Sequence, residues 1–155
     1  MKNKIHLTIY IVIGGFFLLL DQLLKYLART NSDFSFYLWK NWLGWEYFPN
    51  PGIAFSLPVP NWLVVIFTPI ILLGLFIWIR RTHNTYHISH ITRQLSLFFI
   101  IAGAVSNYID RVLFGVTIDY IRILTGVINL ADVMIVVGVG LLLLDERLKK
   151  INIKL

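Results

Sequence analysis

Apolar residues in this chain come in four long runs, from about Leu7 to Leu20, Trp62 to Ile79, Leu95 to Val112 and Leu130 to Leu144. Each is close to the roughly 20 residues that a helix needs to cross the hydrocarbon core of a bilayer. The first run continues through Asp21, Gln22 and Lys25 to about Ala28. The second contains Pro69, which a membrane helix tolerates as a kink, and it stops at Arg80 and Arg81. The fourth extends through amphipathic residues to Leu148. This pattern predicts an all-α polytopic membrane protein with four transmembrane helices at about residues 7–28, 62–79, 95–113 and 130–147. Lys2, Lys4 and His6 ahead of the first run resemble the basic start of a leader peptide. No small-residue cleavage site follows, so the run is expected to be retained as a span.

The stretch between the first two runs, about residues 30–61, has a different texture. Phe34, Phe36, Tyr37, Trp39, Trp42, Trp45, Tyr47 and Phe48 alternate with polar residues. Alternation of this kind fits short strands, and the aromatics fit a membrane–water interface. A small extracytoplasmic β element between helices 1 and 2 is therefore expected, lying on the outer leaflet. From Pro49 to Pro60 the chain is rich in turn residues and cannot be helical throughout.

Composition narrows the class. The 155 residues are 57% hydrophobic and only 14% charged, and the mean hydropathy of +0.73 lies well outside the range of soluble domains. The chain thus reads as a single membrane-embedded domain over residues 1–155, with no room for a separate soluble one. A net charge of +6 would suggest nucleic acid in a soluble protein. Here the basic residues sit at the ends of apolar runs, where they orient helices and meet anionic membrane lipid, so no nucleic-acid partner is expected. One side of the predicted bundle holds Lys2, Lys4, Arg80, Arg81, Arg93, Arg147, Lys149, Lys150 and Lys154. The other holds Lys25, Arg29, Lys40, Arg111 and Arg122. The richer side should be cytoplasmic, which puts both termini inside.

The chain has no cysteine, which removes disulfides, thiolate zinc sites and a cysteine nucleophile together. His83, His87 and His90 share a polar connector without an acidic partner and read as a solvated loop, so no metal and no cofactor are expected. Ser106 has no histidine on its side of the membrane, and Ser56 lacks a strand-to-helix elbow.

What remains is a polar cluster between the last two apolar runs: Asn107, Asp110, Arg111, Asp119, Asn129 and Asp132. Ionisable groups at bilayer depth are costly and persist when paired or functional. Asp21 and Lys25, four apart, face one side of a helix and can pair, either to fix the end of the first span or to orient this cluster. Asn107, Asp110 and Arg111 share a helical face near the end of the third span. Arg111 can pair with a carboxylate there and Asn107 can donate across helices, which reads first as a structural network. Gly103 and Ala104 leave space for another helix to approach. Asn129 and Asp132 have the spacing of a capping box, so stability alone could account for them. Asp119 sits in a short extended stretch, Thr117 to Tyr120, where a carboxylate needs no cap. Two acids at segment mouths on one side of the membrane are the minimum equipment of an aspartic protease, one activating water and the other protonating a carbonyl oxygen.

These residues, taken in order, resemble the lipoprotein signal peptidases (signal peptidase II). The resemblance rests on Asp21-Gln22 with Lys25, Asn50-Pro51-Gly52-Ile53-Ala54-Phe55, and Gly103-Ala104 with Asn107 and Asp110-Arg111. It continues with Ile118-Asp119-Tyr120 and ends on Asn129-Leu130-Ala131-Asp132. It implies four transmembrane helices, cytoplasmic termini and an extracytoplasmic β-cradle after the first helix. It further implies catalytic aspartates at Asp119 and Asp132, with support from Asp21, Lys25, Asn50, Gly52, Asn107, Asp110, Arg111 and Asn129. The implied substrate is a prolipoprotein whose cysteine carries diacylglycerol, cut on the amino side of that cysteine in the cell membrane by a monomeric enzyme. Thr117 and Ile118 stand where the family more often has valines, and Ile128 where a phenylalanine is common. The connection from Asp119 to Asp132 is short for a family that places a small helix over the site there.

Two other classes compete on sequence grounds. A small proton-coupled transporter would use Asp110, Asp119 and Asp132 as a relay spread through the membrane, whereas a non-catalytic assembly factor would use the cluster only to join helices. The Lys/Arg asymmetry makes a prediction of its own: Asn41 lies outside and Asn84 inside. In this cysteine-free chain, Asn41→Cys on intact cells should react with an impermeant thiol reagent and Asn84→Cys should not. The reverse pattern would invert the orientation.

Overall fold

The computed structural model describes residues 2–53, 57–81 and 89–152, with side chains for 8–53, 57–78 and 92–147. Ala54, Phe55, Ser56, His83, Asn84 and His87 lie outside the described residues, as does the side chain of His90. Four helices and four strands follow in the order α1 (Lys2–Thr30), β1 (Phe36–Trp39), β2 (Leu43–Asn50), α2 (Asn61–Arg81), α3 (Ser89–Phe114), β3 (Thr117–Ile123), β4 (Gly126–Ile128) and α4 (Leu130–Asn152).

Three of the helices contain stretches long and apolar enough to cross a membrane: Thr8–Thr30, Asn61–Trp78 and Thr92–Phe114. The apolar part of α4 is shorter, bounded by Asp132 in its first turn and by Asp145, Glu146 and Arg147 towards its end. Burial is inverted relative to a soluble protein. Leu19, Phe16, Ile71, Val136 and many other apolar side chains face outward, while Lys25, Asn129, Asp21, Asp110, Asp119 and Ser106 are among the side chains less than 2% exposed. Such a surface suits lipid, and polar groups placed inside must find their partners within the protein.

Helix α3 is the hub, packing against α1, α2 and most extensively α4. The α3–α4 contact is close because glycine lines it on both sides. A Cβ at Gly103 would come within 2.5 Å of the Ala131 carbonyl oxygen and 2.9 Å of Ile135, and one at Gly138 within 2.6 Å of the Ser96 carbonyl oxygen. This small-residue seam, expected from Gly103, sets the first turn of α4 beside the inner face of α3.

The sheet departs from expectation. It is antiparallel with strand order β1-β2-β3-β4, so half of its strands come from the α3–α4 connection and not from the segment between the first two helices. Pairing across the chain, Trp45 opposite Ile121 and Asn50 opposite Thr117, joins the two connections into one layer. Local alternation marked β1 and β2, but the stretch after α3 is too short for its pairing partner to be read from periodicity. A β3–β4 hairpin, and no helix, fills the connection from Asp119 to Asp132. Its turn places Leu124 at φ 55°, in the left-handed region, which costs a branched side chain roughly 1–2 kcal/mol. The Leu124 N–H donates to the Trp42 carbonyl at 2.6 Å, tying this turn to the β1–β2 hairpin.

Successive residues of β3 point to opposite faces. Ile118 and Tyr120 form a buried cluster with Ala28 on α1, backed by Leu24, Trp45, Tyr47 and Leu130, and the Trp45 and Tyr120 rings lie 4.9 Å apart. Asp119 takes the other face. A cross-strand clamp braces the sheet, with Arg122 Nε and Nη2 donating to both Glu46 carboxylate oxygens at 2.8 and 2.6 Å and the Tyr37 hydroxyl donating to Glu46 at 2.6 Å. The Arg122 contact holds the Glu46 carboxyl below the usual carboxylate range.

The seam supplies a test. Gly103→Ala should destabilise the fold by roughly 1–3 kcal/mol, as overpacking against backbone does, whereas Gly15→Ala, where nothing lies within 4 Å, should be neutral or slightly stabilising. Equal melting temperatures for the two variants would contradict a close α3–α4 contact.

Candidate active site

The site is built outward from Lys25. Its ammonium lies 2.9 Å from Asp21 on its own helix and 2.9 Å from Asp110 on α3. It also donates to Ser106 Oγ at 3.3 Å and to Asn107 Oδ1 at 2.8 Å. All of Lys25, Asp21, Asp110 and Ser106 are at most 1% exposed. An unpaired charge there would cost several kcal/mol, and each is instead saturated with partners. Asp21 Oδ2 accepts from Ser106 Oγ at 2.6 Å, and its Oδ1 accepts from the Tyr120 hydroxyl at 2.8 Å and the Ala131 N–H at 3.2 Å. Asp110 Oδ2 also accepts the Ile118 N–H at 3.1 Å, while Gln22 Nε2 donates to Asp110 Oδ1 at 3.2 Å and to Ser106 Oγ at 2.8 Å. One node therefore joins α1, α3, β3 and α4.

The start of α4 shows how a capping device becomes part of a site. Asn129 is the N-cap, its Oδ1 accepting the Asp132 N–H at 2.8 Å, and Asp132 Oδ2 accepts the Asn129 N–H in return at 3.3 Å. This is the reciprocal capping box that the spacing suggested. The remaining first-turn donors are satisfied from outside the helix, Leu130 N–H by the Tyr120 hydroxyl at 3.1 Å and Ala131 N–H by Asp21. The cap also reaches across to β3, where Asn129 Nδ2 donates to Asp119 Oδ1 at 2.6 Å. Asn129 thus holds both acids, one by each end of its amide and backbone.

The second oxygen of Asp119 accepts from Asn50 Nδ2 at 2.9 Å, and Asn50 Oδ1 in turn accepts the Gly52 N–H at 3.0 Å. Asp132 Oδ1 accepts from Asn107 Nδ2 at 2.8 Å. Asp119 is 1% exposed, while Asp132 is only half-buried. Burial, followed by the nearby charge of Asp132, pushes the Asp119 carboxyl up to about 7. A carboxyl titrating near neutrality beside a second one is the arrangement that lets a pair share a proton.

All ten residues singled out from the sequence converge here except in one respect. The sequence left Arg111 able to pair with a carboxylate. It donates instead to the Gly52 carbonyl and, at 3.5 Å, to Asn61 Oδ1, and the carboxylate partner of this face is taken by Lys25. Being one residue beyond Asp110, Arg111 points about 100° further round the helix, towards the start of α2. Asn61 Nδ2 returns a bond to the Arg111 carbonyl at 3.1 Å, so Arg111 fastens the loop after β2 and the start of α2 to the end of α3. Sequence reasoning missed Ser106, Gln22, Tyr120 and Asn61 as site residues. Gln22 and Tyr120 stood in the blocks that carry the family resemblance, and Ser106 is a polar residue inside an apolar run on the face of Asp110; Asn61 had no signal. Among the described residues no group of three or more His, Cys, Asp or Glu side chains has a metal-binding arrangement. A cleft lined by Gln22, Lys25, Tyr26, Arg29, Asp110 and Leu113 reaches the node from between α1 and α3, but neither Asp119 nor Asp132 lines it. It is not where one peptide bond could meet both acids.

A mostly helical membrane-type protein with a small antiparallel sheet, carrying two adjoining carboxylates at the junction of sheet and helix, has the equipment of a membrane hydrolase. The comparisons with known proteins agree. A family model described as signal peptidase (SPase) II matches residues 13–148, and the chain belongs to that family. The lipoprotein signal peptidase of Halothermothrix orenii is 34% identical over 144 residues, covering 90% of this chain and 92% of that protein. The lipoprotein signal peptidase of Sinorhizobium fredii is 40% identical over 108 residues, which span 64% of this chain and 62% of that protein. A solved structure described as a bacterial membrane enzyme superposes with a TM-score of 0.81 at 27% identity, covering 94% of this chain and 91% of that one.

The raised titration of Asp119 has a consequence for stability. Its unfolded value is near 4 and its folded value about 7. The folded state therefore binds the extra proton across this window, and this group's contribution to stability falls as pH rises through it. Asp119→Asn removes that penalty. The melting-temperature difference, variant minus wild type, should be larger at pH 7.5 than at pH 5. A difference independent of pH would show that Asp119 is not held in this state.

Proposed function

We propose that this protein is an intramembrane aspartic endopeptidase that uses Asp119 and Asp132 as its catalytic pair. As a member of the signal peptidase II family, it removes signal peptides from prolipoproteins. In our reading the cut falls on the amino side of a cysteine that carries diacylglycerol. The observation that carries the mechanism is the bridging of the two carboxylates by Asn129, with one acid sealed and the other open. One carboxylate removes a proton from water as it attacks the scissile carbonyl, and the other delivers a proton to the carbonyl oxygen. Asp21, Lys25, Asn107 and Asp110 hold the pair in place, Asn50 and Asn129 hold Asp119, and Arg111 positions the backbone at Gly52.

The location follows from the substrate. A diacylglyceryl cysteine stays in the bilayer, so the acids must stand at the membrane surface where water also arrives. We propose that all four helices span the cell membrane, with both termini cytoplasmic and the site at the extracytoplasmic face. Exposed aromatics on and beside β1, Phe36, Trp39 and Trp42 among them, then rest on the outer leaflet as interfacial aromatics do. The enzyme works as a monomer and its chemistry draws on no metal or cofactor. A transporter relay needs acids spread through the membrane depth, whereas Asp21, Asp110, Asp119 and Asp132 all converge on one hydrogen-bonded network.

Asparagine keeps the shape of aspartate and caps helices well, but cannot ionise. Asp119→Asn and Asp132→Asn, each purified as folded protein, should lower the rate of prolipoprotein cleavage by roughly three orders of magnitude, and the double variant should be little worse, because the two act as a unit. Chelators and serine or thiol reagents should leave the wild type active. Near-normal turnover by either single variant would reduce that residue to a cap or a loop charge and leave the assembly-factor reading in its place.

A further inference from the structure

The two acids are supported unequally. Both amides that donate to Asp119 are backed by neutral groups, since Asn50 Oδ1 accepts the Gly52 N–H and Asn129 Oδ1 accepts the Asp132 N–H. The amide that donates to Asp132 is backed by a cation. Asn107 Oδ1 takes a hydrogen bond from the Lys25 ammonium at 2.8 Å, and its Nδ2 gives one to Asp132 Oδ1 at 2.8 Å. An ammonium on the carbonyl end of an amide draws electron density from its nitrogen and makes the opposite N–H a stronger donor. The orientation of Asn107 is fixed by its neighbours, because Asn129 Nδ2 also donates to its Oδ1 at 3.1 Å.

Two further features separate the acids. Asp132 lies in the first turn of α4, where the helix dipole favours negative charge, and Asp119 lies on a strand. Asp132 is buried less completely than Asp119, which is 1% exposed. The charged groups around Asp132 are Lys25 and Asp21 from α1, Arg111 from α3 and Asp119 from β3, with Asp110 of α3 on the far side of Lys25. Asp21 and Asp110 both contact the Lys25 ammonium and offset its longer-range field. The charge of Lys25 is felt at both acids, but Asp132 alone also receives it through the short contact with Asn107.

We propose that Lys25 acts through Asn107 as a positioning pair that keeps Asp132 in its carboxylate form, so that Asp132 is the base for water and Asp119 carries the proton. The inference rests on the endopeptidase reading above. In the first step a water oxygen bonds to the scissile carbonyl carbon, a water proton passes to Asp132, and the Asp119 proton passes to the carbonyl oxygen. In the second the C–N bond breaks, the amine nitrogen takes the proton from Asp132, and a hydroxyl proton of the diol returns to Asp119. Both acids end as they began. The position of Asp119 near neutrality agrees with its role as proton carrier.

The test is the pH dependence of kcat/KM for a diacylglyceryl prolipoprotein. Asn107→Leu removes the donor to Asp132. Asn107→Asp, the same shape as asparagine, keeps the Lys25 contact but replaces the donor with an acceptor, which guards against a packing defect in the leucine variant. Both should move the ascending limb to higher pH, by about one unit or more for loss of a charge-backed donor, with kcat falling at pH 6 and KM changing less than about threefold. Asn50→Leu, which strips a donor from Asp119, should move the descending limb to higher pH and leave the ascending limb in place. Limbs that stay where they are while kcat falls would make Asn107 merely structural, and a shifted descending limb in the Asn107 variants would assign the base to Asp119; either overturns the proposal. A wild type that cleaves nothing defeats the endopeptidase reading itself, and is seen before any variant is made.

Discussion

A lysine ammonium buried between two carboxylates is the contact on which the rest of this structure depends. Lys25 is 1% exposed and lies 2.9 Å from both Asp21 and Asp110, and removing any one of the three would leave an uncompensated buried charge. Such a group of ions stabilises little in net terms, because desolvation consumes most of the Coulombic gain. Its value here is geometric. Asp21 reaches the Tyr120 hydroxyl on β3 and the Ala131 N–H on α4, and Asp110 reaches the Ile118 N–H. The ion cluster therefore fixes how the sheet and the last helix meet the first and third helices, and that meeting point is where Asp119 and Asp132 stand.

The same economy runs through the first turn of α4. Helix starts leave backbone N–H groups without partners, and in a membrane protein these must be satisfied inside. Here Asn129, Tyr120 and Asp21 supply the acceptors. The residues that cap the helix are thereby the residues that hold the acids, and Asp132 is both the capping-box partner of Asn129 and the open member of the pair. Capping of α4 and the catalytic role proposed for Asp132 are therefore not alternatives at this position.

Much of this was legible in the sequence because local spacing carries it. Asp21 and Lys25 are one turn apart, Asn107 and Asp110 share a helix face, and Asn129 and Asp132 have capping-box spacing, so each pair was readable without knowledge of the rest. Gly103 signalled the close approach of α4 in the same way. What could not be read was which local features meet. The pairing of β2 with β3 joins residues 67 to 80 positions apart, and nothing in the period of either strand names its partner. Tyr120 was read only as the end of an extended stretch, Ser106 only as a failed nucleophile, and Arg111 as able to pair with a carboxylate, a place that Lys25 occupies. The order of the whole set along the chain, matched to a family, carried more than any single pair.

The central claim is that the node around Lys25 is held by the pairing of its ammonium with Asp21 and Asp110, and thermal unfolding of two variants tests it directly. Lys25→Met leaves Asp21 and Asp110 as buried like charges and should lose about 3–5 kcal/mol, the cost of breaking a buried pair from one side. Lys25→Met/Asp110→Asn leaves only Asp21, which keeps its bonds from Ser106, Tyr120 and Ala131, and should recover at least half of that loss. A double variant no more stable than the single one would contradict the account.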